Sequence, residues 1–267
     1  MLLPRSSQVS RFPPRVLITG AAGAIGSCLR EGLRPLVDEL VLTDVRPVAP
    51  GAKERFVQAD LADRDVLLSL AQETDAVVHL GAVPTEVPFD QLVGPNLVGG
   101  FNLFEAARLA GVSRVVFASS NHATGFYPFE RRLVGDEPPR PDSLYGVSKV
   151  YGEALGRLYV DKFDLQVVCV RIGSFAERPR QLRELATWLS YGDAVRLFAA
   201  CLSAPNVGFR VVYGASANTR AIWDLTPARE LGYEPQDDAE RYAGEVGGEL
   251  PEFQGGGFTA HDMGGWA

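Results

Sequence analysis

The chain has 267 residues, 46% of them apolar, and a formal net charge of −7. That length fits one large domain, or one domain with a small appendage, and it buries a full core without disulfide staples. The acidic balance and the lack of a lysine-arginine block argue against nucleic acid and anionic membrane as partners.

Met1 to Pro14 is polar and Pro-bearing, without the apolar run of a secretory signal, and reads as an N-terminal extension, 1–14. Val16-Leu17-Ile18-Thr19 is a β-branched run closed by Gly20, which predicts a buried strand. Ile25 to Leu36 has apolar positions at helical spacing, and Leu40 to Asp44 and Arg55 to Asp60 predict the next two strands. Asp63 to Gln72 predicts a helix capped by Asp63. Ala76 to Leu80 is a fourth strand, and Leu92 to Ala110 a long helix stopped by Gly111. Arg114 to Ser120 is a fifth strand, Tyr145 to Phe163 a helix, and Gln166 to Ile172 a sixth strand. Nearly continuous apolar strands alternating with helices predict an α/β fold, a Rossmann-type doubly wound parallel sheet spanning residues 15–173.

After Ile172 the rhythm breaks. Trp188 to Leu202 predicts a helix, Phe209 to Tyr213 one more strand and Pro227 to Leu231 a short helix. Residues 174–253 thus read as a small C-terminal substrate-binding portion interleaved with the last strand. The Gly-rich tail, 254–267, reads as irregular or held by a neighbouring subunit. No apolar stretch reaches bilayer-spanning length. Cys28, Cys169 and Cys201 are widely spaced, with no CxxC and no His at metal spacing, so they read as buried free thiols in a reducing compartment, with no metal. A cytoplasmic protein is expected.

Thr19 to Gly26 carries glycines at 20, 23 and 26 between a predicted strand and a predicted helix. Gly20 allows the tight turn, Gly23 lets a pyrophosphate approach, and Gly26 lets the helix pack on the sheet; with Ala24 and Ile25 they open a helix whose N-terminus faces phosphates. Asp44 ends the second strand 24 residues after Gly20, where an acid accepts from the adenosine ribose and repels a 2′-phosphate, so NAD is expected over NADP, with Arg46 the one opposing feature. Asp60 and Leu61 are placed to contact adenine, although Asp60 alone is equally a turn residue. Leu80-Gly81-Ala82 leaves room for a cofactor, and Asn96 either positions a catalytic lysine or is a surface helical residue.

Tyr145 and Lys149 are four apart, on one face of a helix. An ammonium beside a phenol favours the phenolate, which makes the tyrosine a base for an alcohol. In isolation the pair reads first as a surface tyrosine and a solvated lysine on an ordinary helix, and the rest of the sequence is needed to overturn that. Ser119-Ser120-Asn121-His122 falls at the carboxyl end of the fifth strand, where ligands gather in open parallel sheets. Ser120 is placed to hydrogen-bond the reacting oxygen. His79 lies inside an apolar strand and reads as structural.

In this order and spacing, the Gly motif, Asp44, Asp60-Leu61, His79 to Ala82, Asn96, Ser120 and the Tyr145-to-Lys149 stretch resemble the extended short-chain dehydrogenase/reductase superfamily (NAD-dependent epimerase/dehydratase) from about Arg15 to Pro235. The stretches from Val116 to Pro128, Arg140 to Lys149, Tyr159 to Phe163, Val170 to Ser174 and Val212 to Asn218 are similar to the bacterial uronate dehydrogenase family within it. That resemblance implies NAD-dependent oxidation of the cyclic hemiacetal of galacturonate or glucuronate to an aldaro-lactone. It implies Tyr145, Lys149 and Ser120 as the catalytic set, and Ser120, Asn121, His122 and Ser174 as substrate contacts. Phe175 is implied as a main-chain contact to cofactor, and Arg183 as the holder of the substrate carboxylate. A guanidinium is the natural bidentate partner for that carboxylate, and Arg178 and Arg180 are further candidates. Pro84 departs from the serine expected at its position and puts sugar preference in doubt. A nucleotide-sugar epimerase or dehydratase with retained NAD, and a non-catalytic dinucleotide sensor, are the competing readings. A homo-oligomer with a small sugar-acid substrate is expected.

Overall fold

Val16, Leu17 and Ile18 expose no surface, and the strand they form sits in the middle of one sheet. The computed structural model describes residues 12–261; the expected extension up to residue 11 and the tail beyond residue 261 lie outside the described residues. In chain order come β1 (Arg15–Thr19), α1 (Ala24–Leu33), β2 (Glu39–Asp44), β3 (Glu54–Gln58), α2 (Arg64–Gln72) and β4 (Ala76–His79). They are followed by α3 (Phe89–Leu92), α4 (Gly99–Ala110), β5 (Arg114–Ser120), α5 (Leu144–Phe163) and β6 (Gln166–Ile172). The remainder holds β7 (Ser174–Phe175), α6 (Glu184–Thr187), β8 (Trp188–Leu189), α7 (Tyr191–Ser203), β9 (Phe209–Gly214) and α8 (Thr226–Arg229).

Seven strands pair in the order β3-β2-β1-β4-β5-β6-β9, all parallel. Alternate residues of β1 serve opposite faces, as the two-residue period demands. Val16 and Ile18 pack with Leu29 and Leu33 of α1 and Leu197 and Phe198 of α7. Leu17 packs with Leu67 of α2, Leu103 and Phe104 of α4 and Tyr159 of α5. Covering both faces is why the strands carry no polar alternation. The chain runs outward from β1 to β3, then returns to β4, so a crevice opens between the carboxyl ends of β1 and β4.

Most expected elements stand, with differences at their ends. β3 stops at Gln58, opposite Asp44, because β2 offers no residue beyond it to pair with. Asp63 caps α2, its carboxylate accepting from the Val66 amide at 3.1 Å. The expected helix from Leu92 is interrupted by a π turn, Val93–Val98, around Pro95, which has no amide to donate. Trp188 and Leu189, expected in a helix, instead pair as β8 with β7. Trp188 is wholly buried and donates to the Ala176 carbonyl at 2.8 Å, and Ser190 caps α7 in its place. Gln254 to Gly256, expected to be irregular or held by a neighbour, dock on their own chain. Among the described residues no helix is long and apolar enough to cross a membrane.

Candidate active site

A cavity of about 1000 Å³ lies along the carboxyl ends of the strands. Gly20, at φ +70°, makes the turn from β1, and a Cβ there would stand 2.7 Å from the Gly81 amide. A Cβ on Gly26 would stand 2.3 Å from the Gly20 carbonyl, so only glycine lets α1 begin so close to the sheet. The amino end of α1, with Gly23, Ala24 and Ile25, lines the cavity. Asp44 lines it too, one carboxylate oxygen accepting from the Ala22 amide and the other from the Arg46 amide, each at 2.9 Å. Asp60, Leu61, Leu80, Gly81, Ala82 and Phe175 complete this half. A cradle that any Cβ would fill, a helix N-terminus and an acid at the far end fit a dinucleotide.

Ser143 caps α5 by accepting from the Gly146 amide at 2.9 Å, and the helix presents Tyr145 and Lys149 one turn apart. Both are almost wholly buried yet line the cavity. The Lys149 ammonium donates to the Ala118 carbonyl at 2.9 Å and lies 5.4 Å from the Tyr145 ring centre. Ser120 Oγ accepts from the His122 amide at 3.2 Å, and the same hydroxyl draws the Tyr145 pKa down. Burial pushes the Tyr145 phenol up to about 12, against the pull of Ser120, and the Asp142 carboxylate adds to the rise. Burial also draws Lys149 down to about 8. Desolvation is thus the largest influence on Tyr145, and the lowering expected from Lys149 is not among its causes. His79 is held as a satisfied core residue. Thr19 Oγ1 accepts from the Gly81 amide and hydrogen-bonds His79 Nδ1 at 2.7 Å.

At the other end, Asn121 and His122 line the cavity, whereas Ser174 and Arg183 do not. Asn121 is satisfied when its amide nitrogen donates to the Ile172 carbonyl (3.1 Å) and its oxygen accepts from Arg183 Nη2 (3.0 Å). Arg183 Nη1 donates to Ser174 Oγ at 3.2 Å, and Nε and Nη2 both donate to the Gln254 main-chain carbonyl, at 2.8 and 2.5 Å. The expected free bidentate face of Arg183 is thus already engaged. The Asn96 amide also stays out of the cavity: it holds both main-chain groups of Val83 and donates to Ser148 Oγ at 2.9 Å. It ties the loop after β4 to α5, and its hydrogen bonds go there rather than to Lys149.

Three supporting carboxylates carry no local sequence signal. Glu86 accepts from the Leu144 and Tyr145 amides, and Asp142 accepts from His122 Nδ1 at 2.8 Å. Glu153 forms a buried bidentate pair with Arg171 and accepts from Ser119 at 2.6 Å, beneath the strand end that carries Ser120.

Residues 16–176 match the model of the NAD dependent epimerase/dehydratase family. The chain belongs to that family. Within it, the chain is 45% identical to a uronate dehydrogenase of Pseudomonas putida over 87% of each chain. The crystal structure of uronate dehydrogenase from Agrobacterium tumefaciens superposes with a TM-score of 0.89 at 44% identity, covering 94% of this chain and 98% of that one. A tyrosine-to-alanine variant of that enzyme, complexed with NAD, superposes with the same TM-score of 0.89 and covers 93% of this chain and 98% of that one. For an epimerase/dehydratase family member, the cradle at Gly20 to Gly26 and the Tyr145–Lys149 turn fall inside the matched residues.

Proposed function

We propose that this protein oxidises a free uronate at its anomeric carbon to the aldaro-lactone, with NAD as acceptor. The observation that carries this reading is the convergence of Tyr145, Ser120 and Lys149 in one cavity, between the Gly20–Gly26 cradle and the Asn121–His122 loop. Residues 15–173 hold the dinucleotide on Gly20, Gly23, Ala24, Ile25, Gly26, Asp44, Asp60, Leu61, Leu80, Gly81 and Ala82, with Phe175 beside them. NAD, when bound, supplies the hydride acceptor and a positive charge.

Tyr145 takes the proton of the anomeric hydroxyl, and Ser120 steadies the oxygen as charge develops on it. Because burial, with Asp142 beside it, places Tyr145 at about 12 despite Ser120, an added cation is what brings the phenol toward a working range. Lys149, anchored on Ala118, is buried below the same face. His122, Asn121, Ser174 and Arg183 meet the hydroxyls and carboxylate of the sugar acid, Arg183 with whichever donor Ser174 or Asn121 releases. Free thiols at Cys28, Cys169 and Cys201 support a cytoplasmic setting. Exposed Val98, Phe101, Val147 and Leu158 support a homo-oligomer.

The test is to follow NADH absorbance with NAD or NADP and a panel of free uronates, neutral sugars and nucleotide sugars. NADH formed only with free uronates, and lost in Tyr145→Phe, is expected. Turnover confined to nucleotide sugars overturns the reading.

A further inference from the structure

Gln254, Gly255 and Phe258 touch Arg183, Asp142 and His122 respectively, and His122 lines the cavity. Gln254 is 1% exposed, and its side chain accepts from Trp223 Nε1 at 2.8 Å and donates to the Arg131 carbonyl at 2.7 Å. Its amide donates to the Tyr127 carbonyl at 2.9 Å. So pinned, its own carbonyl takes two N–H groups of Arg183 and sets the plane of the guanidinium. Gly255 donates to the Gly125 carbonyl and lies over the Asp142 carboxylate; a Cβ there would stand 1.8 Å from Asp142 Oδ2, the oxygen that holds His122. Phe258 stacks on the His122 imidazole with ring centres 3.8 Å apart and 26° between planes, and its ring centre is 6.3 Å from that of Tyr145.

We propose that Gln254 to Phe258 backs the sugar end of the pocket of its own chain, and that Gln254, Gly255 and Phe258 are positioning residues that act on the sugar acid through Arg183, Asp142 and His122. Gln254 aims Arg183, and Gly255 leaves the space that lets Asp142 hold the edge of His122. Phe258 closes the face of the same imidazole. With Nδ1 held by the Asp142 carboxylate, Nε2 is the ring nitrogen left for a sugar hydroxyl. None of the three residues is among those that line the cavity; they act through Arg183, Asp142 and His122. The inference rests on the functional reading above.

The test compares wild type with Phe258→Ala, Phe258→Tyr and Gly255→Ala in steady-state assays with free galacturonate and glucuronate, alongside thermal unfolding. Phe258→Ala raises the KM for the uronate about three- to tenfold, the range of one aromatic stack, while the KM for NAD and the unfolding temperature hold. Phe258→Tyr returns the uronate KM to within about twofold, since the same stack re-forms. Gly255→Ala, which drives the segment off Asp142, raises the uronate KM as well. Uronate KM values equal to wild type in Phe258→Ala and Gly255→Ala overturn the proposal, as does an equal rise in both KM values with a lowered unfolding temperature. A wild-type chain that oxidises no free uronate fails the functional reading itself, and this proposal with it; an active wild type with unmoved variants fails this proposal alone.

Discussion

Glu86 and Tyr145, 59 residues apart, meet where one carboxylate oxygen of Glu86 accepts from the Tyr145 amide at 2.8 Å. The other oxygen takes the Leu144 amide at 3.1 Å. A loop that borders the cavity thereby anchors the first turn of the helix that carries the candidate base. An anion on a helix N-terminus satisfies orphan donors and meets the positive end of the dipole. Glu86→Ala is expected to cost about 1–2 kcal/mol of stability and to lower kcat more than it raises the KM for NAD. Urea unfolding and steady-state kinetics check both; an unchanged kcat removes Glu86 from the positioning of Tyr145.

Lys149 opposes the fold in the unliganded chain. Its folded pKa, about 8, is depressed from 10.5, so its stabilising contribution is present above pH 10.5 and is lost as pH falls through 8. Tyr145, raised from 10.0 to about 12, contributes stability that is present below pH 10 and is lost as pH rises through 12. Lys149→Met is expected to raise the unfolding temperature at pH 7, with an upper bound of about 3 kcal/mol, and the gain disappears toward pH 10.5. Turnover is lost in the same variant. Thermal unfolding between pH 6 and 11 checks the sign.

Asp44 spends its carboxylate on the Ala22 and Arg46 amides, which holds a negative charge at the adenosine end of the cavity. Arg46 Nη2 donates to the Ala22 carbonyl at 2.7 Å, its Nε lies 3.8 Å from Asp44 Oδ1, and the side chain is 65% exposed. Asp44→Ser removes the charge that repels a 2′-phosphate and leaves Arg46 to meet it. The ratio of kcat/KM for NADP over NAD is expected to rise about tenfold or more, a modest share of what a like charge costs at a binding site.

Arg171 and Glu153 are a buried bidentate pair, with side chains 3% and 8% exposed. Arg171 Nη1 finds no partner among the described residues. Glu153→Ala strands the guanidinium and frees Ser119, and is expected to cost about 3–5 kcal/mol. Arg171→Met with Glu153→Leu together should restore most of that loss. Urea titration of the single and double variants measures it.

The architecture was legible in the sequence because its signals are local. Apolar runs at Val16, Leu40, Ala76, Val115 and Val167 form strands wherever both faces are covered. Asp63 caps α2 and Gly111, at φ +73°, stops α4 within the reach of a few residues. The Gly20-to-Gly26 turn and the four-residue spacing of Tyr145 and Lys149 likewise need only chain neighbours to take their shape. Helical periodicity misplaces Trp188, because its pairing with Ser174 and its burial are tertiary facts that override it.

By itself the sequence determined the parallel sheet, the dinucleotide cradle and which tyrosine and lysine share a helix face, since each follows from backbone sterics and short-range spacing. Only the tertiary structure decided what those groups meet. His122 meets Asp142 across 20 residues, and Arg183 meets the Gln254 carbonyl across 71. Burial, which no run of neighbouring residues encodes, sets Tyr145 high and Lys149 low. Partners so far apart in the chain are chosen by packing, and packing also decides how much water each charge keeps.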